Sequence, residues 1–403
     1  MDKLGHPEKD GAETRAVLGL HYDTGKPVRI DMEKGLIRKI SEVPSPDAGG
    51  GELFVAPGLI DNQVNGYQGI DFSDARLSLD GIKQAAEALW KDGVTTFVPT
   101  LVTGRHDDLI RNLKVLARAA EDPFFKGCIP GFHLEGPYLS PEPGFYGCHP
   151  VHHLRKPSWG EFMEYQKAAE GKIIQVTVAP ELDGAIDFIR SCRENGIVTA
   201  IGHTNAAASE INLAVENGAS LSTHLGNGCA NLIDRHRNPL WPQLADDRLT
   251  PSLIADGHHL TSDEIRVFYK IKGPDNLILT SDTTHFNGMP PGEYVYLGSK
   301  VIVTAEGLVM NPERNCLAGA SLPLRRGIEN MMAYTGCSLG AALNLDSRNA
   351  ARVLGMEDRG RLSVGKRADL ILLEKTENRL HIMKTYLKGV PVSQEASNKR
   401  FHQ

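Results

Sequence analysis

At 403 residues the chain is long for one domain and short for three, and 41% hydrophobic with 23% charged residues is the composition of an ordinary globular protein with a sizeable core. A net charge of −6 with no long basic run excludes broad attraction to nucleic acid or an anionic membrane, leaving room only for a local basic pocket that takes a small anion. No run of about 18 apolar residues offers a spanning helix. The polar start MDKLGHPEKD lacks the apolar stretch of a secretory signal, and six cysteines without C-x-x-C spacing read as free thiols in a reducing cytoplasm.

Taken in chain order, apolar runs alternate with helical stretches eight times. FVAPGLID (54–61) is the first strand candidate. A helix follows, GIKQAAEALWKDG, with Ile82, Ala85, Ala86 and Leu89 at helical spacing and Gly93 as its stop. VTTFVP (94–99) is the second strand. A helix over 107–121 leads to CIPGFHLE (128–135), and IIQVTVAPE (173–181) is the fourth strand. Helix 183–194 precedes IVTAIGH (197–203), and helix 206–216 precedes SLSTH (220–224). SLIADG (252–257), helix 262–271 and NLILTSD (276–282) complete the series. Val-, Ile- and Leu-rich strands alternating with helices predict a parallel sheet covered on both faces.

The remainder lacks that rhythm. Segments 14–56 and 366–403 show short alternating pieces, and 295–320 reads as a hairpin insertion. The expected architecture is α/β: a (β/α)8 TIM-like barrel over 57–365, with a small β-sandwich domain formed by both chain ends, 1–56 plus 366–403. The loops 136–160 and 225–250 are long and rich in Pro, Gly and His, on the face where substrate specificity resides.

Four strand candidates end in residues that carry chemistry: Glu135, His203, His224 and Asp282. Side chains at the carboxyl ends of barrel strands converge on one mouth. One carboxylate and two imidazoles make a metal site with open positions, suited to Zn²⁺ or to Fe²⁺ and similar divalent ions. Asp282 is the candidate proton carrier beside them, against the plainer reading of a cap. Strand one ends in Gln63-Val64-Asn65, and neutral amides are poor zinc ligands, so one metal per chain is expected rather than two.

These residues resemble the amidohydrolase superfamily and, within it, the N-acetylglucosamine-6-phosphate deacetylase family. PGLIDNQVNG, HLEGPYLSPEPGFYGCHP, GHTNA, THLGNG, IADGHH and LTSD carry the resemblance, and GRLSVGKRADLILL is a common superfamily ending. The resemblance implies a cytoplasmic hydrolase that removes the acetyl group from an N-acetylated amino sugar, N-acetylglucosamine-6-phosphate foremost. It implies one divalent metal, zinc first, on Glu135, His203 and His224, and Asp282 as catalytic acid and base with His149 near the acetyl carbonyl. Substrate contacts would come from Gln63, Asn65, Asn227, Gly228 and His259, with Arg235 or Arg237 on the phosphate. It also implies a homodimer whose loop bearing Arg235 and Arg237 reaches a neighbouring site.

The departures lie in THLGNGCANLIDRHRNP and SDTTHFNG, the loops expected around the sugar. They leave two alternatives: a hydrolase for a different or unphosphorylated substrate, and a non-catalytic scaffold on the same fold.

Overall fold

A computed structural model describes residues 14–44, 52–377 and 379–394. The start MDKLGHPEKD, read above as carrying no secretory signal, lies outside them, as do the outermost residues assigned to the small domain. Eight parallel strands run Leu59–Val64, Val94–Val102, Phe132–Glu135, Ile173–Val178, Val198–Ile201, Ala219–Ser222, Thr250–Leu253 and Ile278–Leu279, each paired to the next in sequence. The ring closes where Val64 bridges Thr283 in parallel, with Asp282 N donating to Gln63 O at 3.1 Å and Asn65 N to Thr283 O at 2.8 Å. This is a (β/α)8 barrel.

The first strand differs from its expected bounds. The run 54–61 is two strands, Leu53–Pro57 and Leu59–Val64, in different sheets. The break is at Gly58, where a Cβ would sit 2.1 Å from Thr95 Oγ1, so only glycine lets the chain pass from one sheet into the other.

Both chain ends join one seven-stranded sheet. Leu53–Pro57 lies at its centre, antiparallel to Leu370–Lys375 and parallel to Arg15–His21. Its alternation is that of a one-sided sheet: Val28, Ile30 and Met32 are buried while Arg29 is exposed. The sheet curls back on itself, since Leu36 bridges Arg367 and a Cβ on Gly389 would stand 3.4 Å from Met32. The expected hairpin insertion is a four-stranded antiparallel sheet, Gly292–Tyr296, Ser299–Val303, Val309–Asn311 and Cys316–Leu317, around Phe286, Tyr296 and Val301.

The helices between strands follow the apolar spacing. Leu79–Lys91 buries Ile82, Ala85, Ala86 and Leu89 and is capped by Ser78, whose Oγ accepts from Gly81 N. Ser262–Lys272 begins with a capping box of Thr261 and Glu264. After the last strand come helices absent from the sequence reading, Leu324–Thr335, Leu339–Asn344 and Ala350–Val353. The last of these plugs the barrel floor: Ala350 and Ala351 pack on Ile60, Ala200, Leu221 and Ile278.

Candidate active site

Each reactive side chain stands where a strand has just ended and the backbone turns. His203, His224 and Asp282 all have positive φ, 50°, 30° and 50°. That left-handed elbow is uncommon for residues with a Cβ and costs about 1–3 kcal/mol each, held here by the barrel around it. It tips three side chains inward over the mouth. Glu135 ends its strand in extended form, and all four residues are buried.

The groups meet on the Glu135 carboxylate. Its Oε1 lies 2.9 Å from His224 Nε2 and 3.5 Å from His203 Nε2, and its Oε2 lies 3.8 Å from His149 Nε2. Glu135, His149 and His203 each place one donor atom within 4.8 Å of the others. His203 Nδ1 donates to the Phe145 carbonyl at 2.9 Å, a pure acceptor, which leaves Nε2 with a free lone pair. His149 Nδ1 pairs with Thr103 Oγ1 at 2.9 Å, so its Nε2 also faces the cluster.

The donor set fits a divalent ion. Donors around a tetrahedral centre with bonds near 2.1 Å lie about 3.4 Å apart, close to the spacings about Oε1. His224 Nδ1 is buried without a hydrogen-bond partner among the described residues.

Gln63 and Asn65 act on the carboxylates. Gln63 Nε2 donates to Glu135 Oε1 and to Asp282 Oδ1, both at 2.8 Å, and Asn65 Nδ2 donates to Asp282 Oδ1 at 2.7 Å. The electrostatics then separate the two acids. Burial opposes charge on Glu135, but the two imidazoles at its Oε1, His224 Nε2 at 2.9 Å and His203 Nε2 at 3.5 Å, outweigh it and hold its carboxyl well below the usual range. Burial, followed by the Glu135 charge, pushes Asp282 up. Burial and neighbouring His203 push His149 down to about 3, so it is a neutral imidazole.

A cleft of about 730 Å³ opens above these groups. Asn65, Glu135, His149, His203, His224, Asn227, Gly228, His259 and Asp282 all line it. Several expected substrate residues have other contacts. Gln63 is fully buried behind the two carboxylates and is absent from the cleft wall. Asn227 closes the turn after His224, its amide N and Nδ2 both donating to the His224 carbonyl. Gly228, with φ +60°, is pressed against His203: a Cβ there would lie 2.9 Å from the ring Nδ1. Arg235 and Arg237 are exposed and absent from the wall formed by this chain, on a turn where Asp234 Oδ1 accepts from the amides of His236 and Arg237.

One residue of the site escaped the sequence reading. Asp256 Oδ2 lies 2.8 Å from His259 Nδ1, and its Oδ1 accepts from the His258 and His259 amides. Burial would raise its carboxyl, yet the His259 charge and these hydrogen bonds bring it down to about 2. Its signal was IADGHH itself, an acid three residues before a histidine in a turn.

A (β/α)8 barrel with buried carboxylate and imidazoles at its mouth and a paired aspartate beside them is the frame of a metal-dependent hydrolase. Residues 54–392 match the amidohydrolase family, and the chain belongs to that family. It is 34% identical to the N-acetylglucosamine-6-phosphate deacetylase of Bacillus subtilis (strain 168), covering 87% of each chain. It is also 34% identical to the enzyme of that name from Rattus norvegicus, over 85% of this chain and 84% of the relative. Among solved structures, a mutant of the N-acetyl-D-glucosamine-6-phosphate deacetylase of Mycobacterium smegmatis, in complex with N-acetyl-D-glucosamine-6-phosphate, superposes with a TM-score of 0.84 at 29% identity. That match covers 94% of this chain and 99% of the other.

Proposed function

We propose that this enzyme hydrolyses the acetamide of N-acetylglucosamine-6-phosphate to glucosamine-6-phosphate and acetate. The observation that carries the reading is Asp282, held by two amide donors across the cleft floor from a buried carboxylate and two imidazoles. The relatives named above support the substrate.

Glu135, His203 and His224 would hold the ion. Both imidazoles approach the same oxygen, Oε1, whereas His149 faces Oε2, which leaves His149 free to meet substrate. When bound, the ion supplies Lewis-acid polarisation of the amide oxygen and lowers the pKa of water. Zinc is the first choice and iron the second, since imidazole and carboxylate suit both.

The side chains do the rest. Asp282, ionised at the start, takes a proton from the attacking water and returns it to the nitrogen as the C–N bond breaks. Asn65 and Gln63 fix the Asp282 carboxylate while it does so. His149, whose Nε2 faces Glu135 Oε2, would meet the acetyl end, and His259, braced by Asp256, would meet the sugar.

The reading includes a homodimer. Arg235 and Arg237 project on a loop where Leu232 is 92% exposed, and a neighbouring subunit's cleft is the proposed recipient of their charge. It also includes a reducing compartment, supported by six free cysteines.

The test is acetate release from N-acetylglucosamine-6-phosphate, its unphosphorylated form and the galactosamine isomer, with metal content measured in the same sample. Turnover of the phosphorylated glucosamine derivative alone is expected. Silence on all three with one metal per chain would replace the substrate. Silence without metal would leave the scaffold reading.

A further inference from the structure

The opposite end of the barrel carries a second concavity with different chemistry. The residues under Ala350 and Ala351, namely Ile60, Ala200, Leu221 and Ile278, lie three or four positions before Gln63, His203, His224 and Asp282. The segment 348–366 therefore closes the floor of the barrel, away from the mouth. In it a cleft of about 380 Å³ is lined by Arg348, Arg352, Arg359, Arg361 and Lys366, with Glu357 as the one carboxylate of the wall. The chain as a whole carries −6, so five cations around one cleft run against its overall charge.

The plain account of these side chains is that they tie the floor together, and some do. Arg348 pairs with Asp275 and Asn349, and Arg352 reaches the Asp275 carbonyl. Arg359 holds Asp358 and the Gly127 carbonyl, and Lys366 reaches the Glu357 carbonyl. These ties hold the wall in place without exhausting it, because each guanidinium offers five N–H donors. Two carboxylates outside the lining, Asp275 and Asp358, neutralise two of the five cations, so a positive excess remains even with Glu357 counted. Arg361 has no hydrogen bond or ion pair among the described residues and is exposed, so tying the floor does not explain it.

The geometry points to a second ligand site here, taking a small anion with two or more phosphate charges. Forked guanidinium donors match phosphate oxygens in pairs, which single ammonium groups do not. The volume falls within the range of about 300–1,000 Å³ for small-molecule sites and is too small for a folded partner. The site is independent of the reaction at the mouth, and its occupant is distinct from the substrate.

Inorganic pyrophosphate is the probe. It is titrated by calorimetry into the metal-loaded full chain and into the double variant Arg352→Ala, Arg361→Ala. Neither residue touches the groups at the mouth. Wild type is expected to bind at one site, more weakly in about 0.5 M salt. The double variant is expected to lose about tenfold or more in affinity with acetate release unchanged. Equal binding by wild type and variant would place the anion at the mouth and overturn the proposal, as would no binding by wild type. If circular dichroism shows the double variant misfolded, Arg361→Gln replaces it, since that side chain holds nothing together; about a tenfold loss is again expected, and unchanged affinity overturns the site.

Discussion

Asn65 Nδ2 donates to the Asp282 carboxylate at 2.7 Å and to the Asp282 carbonyl at 3.3 Å, and the Asn65 backbone N–H donates to the next carbonyl, that of Thr283, at 2.8 Å. The hydrogen bonds that close the barrel between its first and last strands thus also set the position of the proposed proton carrier. Gln63 adds a donor to the same oxygen and ties it to Glu135. From the sequence, these amides stand where a second metal's ligands would and are expected to contact substrate. In the structure Gln63 links the two acids through its Nε2.

Asp282→Asn keeps the size of the side chain and removes its proton transfer. Turnover is expected to fall by about 10³-fold or more, with metal content within error of wild type. Acetate assays beside elemental analysis check both halves, and retained turnover would remove Asp282 from its role.

Gln63→Leu removes the donor shared by Glu135 and Asp282. Such outer contacts commonly change metal affinity or activity by about 10–100-fold. We expect a loss of that size in kcat with KM little changed, because Gln63 lies outside the cleft wall. A change confined to KM would return it to substrate binding.

Gly228→Ala places a Cβ 2.9 Å from the His203 ring at a φ of +60°. The strain and the displaced imidazole together are expected to cost about 1–3 kcal/mol of stability and to weaken metal binding. Urea melts with and without chelator measure both, and an unchanged melt would show that the loop yields freely.

Asp256→Asn tests the brace behind His259. The folded carboxyl lies at about 2, against an ordinary value of 3.8. A depressed acid stabilises the fold above its unfolded pKa and loses that contribution as the pH falls towards the folded value. The variant is therefore expected to be less stable than wild type by about 2 kcal/mol at pH 6, with the gap closing between about pH 4 and pH 2. A gap that does not vary with pH would mean that the pair contributes packing alone.

The alternation of apolar runs and helices determined the barrel, because a strand covered on both faces needs a continuous apolar run and its covering helix needs one apolar stripe. The same pattern placed Glu135, His203, His224 and Asp282 at strand ends, and period and position suffice to bring such residues to one mouth. Three things were decided only in the tertiary structure. The left-handed elbows at His203, His224 and Asp282 have no local sequence signature, since the closed barrel imposes them. The role of Gln63 depends on distances to Glu135 and Asp282, which are 72 and 219 residues away in sequence. The exposure of Arg235 and Arg237 and the gathering of Arg348, Arg352, Arg359 and Arg361 on the floor depend on how loops and short helices pack. Charged side chains carry no periodic trace of that packing, so their partners appear only when the chain is folded.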